Sequence, residues 1–404
     1  MKTNSKRLCR MVLLSALPIA MVGDVYADGY RNPPPTAEGL GKSSAHSAFV
    51  DDASAIFYNP ANLAMQEDHS LVLAATFAQS EITYEPAPGY ELKSDDPWNV
   101  LPNLFYSQPV GVKGLVVGLG ISTPYGQSVS WNKTDLVNPM TGVTEPVPYE
   151  AEVLLVNFNP TASFKLHDSV YFGIGGDIFY SDFSMKALFP NLYPVADPMS
   201  PYDVEGSGDG WGIGGNVGLT WLPTENQRVA LTYRSRVDVK YKGDFAASYP
   251  NTGEFETTLK YPNTIGIGYG IALPGNVQLE ALFEWLEWSV NKTQTINAGG
   301  SQLVLENNWD DSYSINTGVN WEIIDGLAVR SGYTWLPSPI PDSSASPLLP
   351  DLDRHILSFG IGYSLGMHTL DLGYAYSIYD DRETANGTYD VDSNLASVTY
   401  SLSF

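Results

Sequence analysis

Leu395-Ala396-Ser397-Val398-Thr399-Tyr400-Ser401-Leu402-Ser403-Phe404 closes the chain with an unbroken alternation of apolar and small polar side chains. Side chains of a strand point alternately to opposite faces. Ala396, Val398, Tyr400, Leu402 and Phe404 therefore share an apolar face, and Ser397, Thr399, Ser401 and Ser403 a polar one. Such a strand suits lipid on one side and water on the other, although a half-buried strand at the end of a soluble domain has the same pattern.

At the other end, Lys2, Lys6, Arg7 and Arg10 precede a largely apolar run from Met11 to Gly23, followed by Val25-Tyr26-Ala27. A basic start, a run too short to span a bilayer and small residues at its end make a secretory signal peptide over residues 1–27, with the mature chain beginning at Asp28. The one cysteine, Cys9, lies in that leader, so no disulfide framework is available to an exported chain. Twenty-five Tyr, 9 Trp, 15 Phe and 37 Gly beside 16% charged residues favour β structure. After residue 27 no apolar run approaches the length of a membrane helix. The formal charge is −24, and removal of a leader with four basic residues and one acidic residue makes it −27. That balance argues against nucleic acid as a partner.

Fourteen candidate strands follow, at 71–85, 100–109, 114–131, 149–166, 169–188, 207–222, 227–245, 253–273, 276–295, 302–322, 327–336, 353–366, 369–381 and 388–404. Short connections (110–113, 167–168, 223–226, 274–275, 323–326, 367–368) alternate with longer ones (86–99, 132–148, 187–206, 246–252, 296–301, 337–352, 382–387) rich in Pro and Asp. An even strand number with this rhythm describes an all-β, up-and-down transmembrane barrel in a Gram-negative outer membrane, with tight periplasmic turns and larger outer loops. Between Val229 and Tyr241, parity assigns Val229, Leu231, Tyr233, Val237, Val239 and Tyr241 to lipid, and Thr232, Arg234, Arg236, Asp238 and Lys240 to the lumen. The terminal aromatic resembles the C-terminal signal read by the barrel-assembly machinery. Outer-membrane lipid and lipopolysaccharide are the expected surroundings of the wall.

Residues 28–70 carry no strand pattern and read as a plug ahead of a barrel formed by 71–404. Their centre, Asp51-Asp52-Ala53-Ser54-Ala55-Ile56-Phe57-Tyr58-Asn59-Pro60-Ala61-Asn62, resembles the hatch of the FadL family of long-chain fatty-acid and hydrocarbon transporters. Similar segments recur in family order at Asn159-Pro160-Thr161, Gly210-Trp211-Gly212-Ile213-Gly214, Leu231-Thr232-Tyr233-Arg234-Ser235, Arg330-Ser331-Gly332-Tyr333 and Pro350-Asp351-Leu352-Asp353-Arg354. The resemblance implies a monomeric fourteen-stranded barrel that passes hydrophobic molecules without a cofactor or metal. Phe57, Asn59, Pro60 and Ala61 would belong to its hatch.

The loop 187–206 supplies apolar Leu188, Phe189, Leu192 and Tyr193 as candidates for substrate capture, or as a lid over the lumen. A fatty-acid carboxylate inside needs a cation, and parity offers Arg234, Arg330 and Arg354. Should all three be held by carboxylates such as Asp177, Glu280 or Glu284, an uncharged aromatic or alkane hydrocarbon becomes the better cargo. In the third strand, Ser122, Pro124, Tyr125 and Gly126 mark a break, because proline cannot donate to a ladder. Its position matches the kink through which the family releases substrate sideways, with Gly126→Trp expected to fill it; a bulge that only adjusts curvature is the alternative. Catalysis is not expected, since His46, His69, His167, His355 and His368 do not fall beside a lumen serine. A structural or adhesive barrel is the remaining alternative to a transporter.

Overall fold

The computed structural model describes residues 28–95, 97–137, 143, 146–191, 197–247 and 252–404. Fourteen wall strands follow in chain order. They are β1 (Ser70–Ala87), β2 (Tyr90–Lys93 with Asn99–Pro109), β3 (Leu115–Ser122 with Gly126–Ser130), β4 (Val147–His167), β5 (Val170–Asn191), β6 (Asp197–Thr224) and β7 (Gln227–Arg234 with Val237–Ala247). The second half comprises β8 (Thr252–Tyr261 with Thr264–Leu273), β9 (Val277–Leu286 with Thr293–Ala298), β10 (Ser301–Glu306 with Ser312–Ile324), β11 (Leu327–Leu336), β12 (Arg354–Leu365), β13 (His368–Tyr379 with Arg382–Thr384) and β14 (Gly387–Ser403). Each pairs antiparallel with the next. β14 returns to β1 in continuous register from Ser70↔Ser403 to Glu85↔Thr388, closing the barrel. Closure pairs the backbone that lipid could not solvate.

The quoted C-terminal stretch is the closing strand. Phe404 N donates to His69 O, His69 N donates to Phe404 O, both at 3.0 Å, and the two rings stack at 5.4 Å. Deleting Phe404 removes this last pair and is expected to lower the amount of heat-modifiable, folded barrel recovered from outer membranes. Wild-type yield would contradict that role.

Ile174, Leu231, Ile267, Phe283, Leu372 and Tyr374 face outward and are exposed, as a lipid-facing band requires. Three expectations need correction. First, 187–206 is not one loop: β5 and β6 stay in register to Phe189↔Tyr202 and, past a register shift, pair again at Asn191↔Asp197, so Leu188 and Phe189 are wall residues, while Leu192 and Tyr193 lie outside the described residues. Secondly, the parity of Val229–Tyr241 reverses after Arg234, where Ser235 and Arg236 leave the strand. Val237, Val239 and Tyr241 are buried in the lumen, and Arg236, Asp238 and Lys240 face outward. An interruption costs strict alternation its meaning, because one displaced residue turns every following side chain over. Thirdly, the 296–301 connection is a hairpin turn at Gly299-Gly300, both at positive φ (+57° and +85°), a conformation open to glycine.

The segment before β1 lies inside the wall, bonded to it on several sides. It contains α1 (Ala37–Gly41), capped by the Thr36 side chain, α2 (Ala55–Tyr58) and a 3-10 turn (Pro60–Met65) opened by Asn59. Ala37 N donates to Thr399 Oγ1 on β14 (2.8 Å), Asn59 Nδ2 to Thr220 Oγ1 on β6 (2.8 Å) and Ala64 N to Ser163 Oγ on β4 (3.1 Å).

Candidate functional site

Asn59 and Asn62 tie this inner segment together. Asn59 Nδ2 also donates to Ser47 O (3.0 Å), and Asn62 Nδ2 donates to Ala48 O (3.1 Å) and Val50 O (3.0 Å). Pro60 and Ala61 pass directly over Gly173, where any side chain on the wall would strike their backbone. A buried charge cluster pins the same body elsewhere. Lys42 Nζ lies 2.7 Å from Glu280 Oε1 on β9 and 3.2 Å from Glu38 Oε1 on α1, and Glu280 Oε2 accepts the Ala48 and Phe49 amides. Burial pushes Glu38 up, but Arg330 and Lys42 outweigh it and hold the carboxyl well below the usual range. Lys42→Met leaves Glu280 without its cation. It is expected to loosen residues 37–50 by about 3–5 kcal/mol. Hydrogen exchange should rise there and not in the wall, and unchanged exchange would refute the anchoring role.

The break in β3 is a count mismatch. Below it Ser122 pairs with Asn157, and above it Gly126 pairs with Leu154, so Thr123-Pro124-Tyr125 stand opposite only Leu155-Val156. β2 is affected too. It pairs with β3 up to Leu104↔Ile121, its Asn99–Asn103 stretch pairs only with β1, and the two strands meet again at Ser94↔Trp131. A gap in the wall therefore lies between β2 and β3.

The start of the chain is laid against that gap as an extended strap. Asn32 N donates to Pro124 O (3.0 Å), Gly126 N to Tyr30 O (2.9 Å), and Arg31 forms an isolated bridge with Tyr125. Asn32 Nδ2 donates to Thr123 O (2.9 Å), and Asn103 Oδ1 accepts from Thr123 N (3.1 Å). A side chain at Gly126 would meet Asn32 at 3.1 Å, so Gly126→Trp would push on the strap rather than fill an opening. Ser122 is buried beside the break.

Behind the break is a chamber of about 90 Å³ lined by Asn32, Phe57, Pro60, Pro124, Tyr125 and Leu282, with Arg31 and Arg234 at its walls. An aromatic group stands beside Tyr125: its ring centroid is 4.7 Å from Tyr261 and 6.3 Å from Trp288, and Tyr30 lies 5.4 Å from Trp309. Trp288 Nε1 donates to Asp28 (2.7 Å), and Asp28 N donates to Asp351 (3.0 Å), whose carboxyl burial pushes up to about 7.

The three arginines do not converge. Arg234 reaches the chamber but is ion-paired with the fully buried Asp177. Arg330 lies at the opposite mouth, paired with Asp371 (2.6 Å) and Glu38 (2.9 Å). Arg354 is buried in a neighbouring cavity with Asp28 and Arg31, its guanidinium 5.9 Å over the Tyr379 ring. Arg31 itself holds Glu284 at 3.0 Å. At the outer end, Phe189, Tyr202, Val204, Phe245, Phe255 and Ile296 line an apolar cavity of about 370 Å³.

The strap was invisible to a search for strands. Its signal was composition, Asn32-Pro33-Pro34-Pro35, which prescribes an extended backbone with donors missing. Residues 20–404 match the family model described as outer membrane protein transport protein (OMPP1/FadL/TodX). The chain belongs to this FadL/TodX family. Among relatives, the long-chain fatty acid transport protein of Salmonella typhi is 24% identical, with 94% of each chain covered. The 47 kDa outer membrane protein of Pasteurella multocida is 23% identical, with 92% of each covered. Among solved folds, a Pseudomonas aeruginosa FadL homologue superposes with a TM-score of 0.81 at 18% identity, covering 93% of this chain and 100% of that one. The toluene transporter TodX of P. putida gives 0.73 at 18% identity, covering 91% and 99%. A FadL-family barrel in the outer membrane transports hydrophobic compounds, and the sequence-based expectation of that fold and location stands.

Proposed function

We propose that this FadL-family barrel passively carries uncharged hydrocarbons, aromatic or alkane, and releases them sideways through the β2–β3 gap. The three-against-two break at Thr123-Pro124-Tyr125, opening from the chamber, carries this reading. Substrate would first occupy the outer apolar cavity around Phe189, where transfer from water gains about 25 cal/mol per Å² of apolar area. It would then pass the lumen face of Phe183, Val239 and Tyr241 to reach Tyr125 and Phe57 beside Asn59-Pro60-Ala61. Movement of the strap, bonded to the break by Asn32 and Tyr30, would uncover the gap.

The charge state of the chamber favours uncharged cargo over the fatty acids first expected. Arg31 holds Glu284 and Arg234 holds Asp177, so a substrate carboxylate would have to displace an internal one already in place. Fatty acids remain the second reading, favoured by the nearness of these same arginines to Phe57 and Tyr125. Labelled toluene and oleate, offered to a host lacking its own hydrophobic channel, separate the readings. Toluene is expected to enter faster than in the empty host and oleate not to. The reverse order would overturn the cargo, and no uptake of either would leave a structural barrel.

A further inference from the structure

A second lapse of pairing lies between β6 and β7. Register partners run from Trp221↔Val229 to Asn216↔Arg234, stop, and resume at Asp209↔Lys242. Residues 210–215 of β6 thus face residues 235–241 of β7, six against seven, and the extra residue is what turns Val237, Val239 and Tyr241 inward.

On β6, Gly208, Gly210, Gly212 and Gly214 alternate through this stretch. A Cβ on Gly212 would stand 2.5 Å from Val237 Cγ1, one on Gly214 would stand 2.5 Å from Val237 Cγ2, and one on Gly210 would strike the Lys240 carbonyl. β7 therefore lies over the faces of these glycines, so close that a side chain on Gly212 or Gly214 needs Val237 to shift. The lower end is fastened by Ser235 N to Gly215 O (2.8 Å) and Gly215 N to Ser235 Oγ (2.9 Å).

Height and surroundings give the seam its meaning. Gly215 stands ten residues above the Glu225-Asn226 turn, about 25 Å for a tilted strand, where the apolar band ends. Trp211 and Ile213 face outward there, 54% and 79% exposed. On the lumen side, Asn216, Val217, Thr232, Tyr233 and Arg234 at the foot of the seam line the same chamber as Pro124 and Tyr125. The β2–β3 gap is lower, Asn103 lying seven residues above Val110, about 17 Å.

We propose that the β6–β7 seam is a second lateral mouth, through which uncharged hydrophobic molecules dissolved in the outer leaflet reach the chamber without passing the outer cavity. Gly212, Gly214, Val237 and Val239 make its lumen side apolar, and on its outer side Trp211 and Ile213 stand beside the charged Arg236, Asp238 and Lys240. Parting these strands separates glycine from valine and breaks the Ser235–Gly215 pair, whereas the fully registered stretch just below, Leu219↔Leu231 and its neighbours, is held by a continuous ladder. Molecules would descend from the seam across the chamber to the β2–β3 gap. The proposal rests on the transport reading above.

Cys9 is the one cysteine in the sequence and falls within the expected leader, so introduced cysteines can be paired cleanly. A Cβ at Gly214 falls 2.8 Å from Ser235 Oγ, which suits a disulfide in Gly214→Cys/Ser235→Cys. Toluene uptake is measured oxidised and after reduction, beside a control lock within the paired wall, Leu219→Cys/Leu231→Cys, whose positions are register partners. Oxidation is expected to slow uptake severalfold in the seam variant, reductant to restore it, and the control lock to leave it unchanged. Equal uptake in both redox states, or equal slowing by the control lock, would overturn the seam proposal. A wild-type barrel that takes up neither toluene nor oleate would overturn the transport reading instead. If the first pair does not assemble, Gly212→Cys/Val237→Cys asks the same question one turn of the pleat higher.

Discussion

Deleting Pro124 is expected to reduce uptake to the level of an empty host while leaving the barrel assembled. The deletion leaves two residues of β3 opposite Leu155-Val156, so the register above and below the break becomes one continuous ladder. Side-chain parity supports this. Inward positions are even below the break (Val116, Ser122) and odd above it (Val129, Trp131), and removal of one residue reconciles them. A straight β3 gains backbone bonds, so heat-modifiable mobility should be kept or strengthened. It also loses the Thr123, Pro124 and Gly126 groups that hold the strap in its present register. Retained uptake would show that the break only adjusts curvature.

Asp177→Asn is expected to change what the barrel binds. Asp177 is fully buried and accepts Asn157 Nδ2 (2.7 Å), Asn159 Nδ2 (2.9 Å) and Asn216 Nδ2 (3.0 Å) besides its ion pair with Arg234. Asparagine keeps the shape and removes the charge. Arg234 is then a cation without its carboxylate at the wall of the chamber, at a cost of about 3–5 kcal/mol to the fold, which a ligand carboxylate can offset. Oleate should co-purify with the variant and not with the wild type, as read by mass spectrometry of extracted ligand. Wild-type protein carrying oleate as strongly as the variant would refute the view that Arg234 is already occupied.

Much of the wall was legible in the sequence because a barrel in lipid repeats one physical demand in every strand. The alternation from Leu395 to Phe404 led to a closing strand paired with β1, and the short connections fell at the turns such as Asp168-Ser169 and Asp325-Gly326. Reading failed where the backbone departs from regular pairing. The inversion after Arg234 depends on an extra residue that no single-strand pattern reveals, and the paired outer halves of β5 and β6 look like a loop because Pro190, Pro198 and Pro201 break their alternation. Lumen chemistry was harder still. Parity could place Arg234, Arg330 and Arg354 inside and offer Asp177 among their carboxylates, and Asp177 does hold Arg234, yet Asp371 and Glu38, which hold Arg330, come from distant positions that only closure brings together. The strap of Tyr30, Arg31 and Asn32 gave no periodic signal, because it pairs with the break in β3 and not with a regular strand.

Photolabelling with a diazirine derivative of a small aromatic hydrocarbon, during uptake by intact cells, tests lateral exit most directly. Exit through the gap predicts label on Tyr125 and Phe57 inside and on Val100, Pro102 and Leu119 beside the opening, with the last three lost on deletion of Pro124. Label passing instead to Phe49, Asp51 and Met367 around the periplasmic mouth, and unchanged by that deletion, would contradict it.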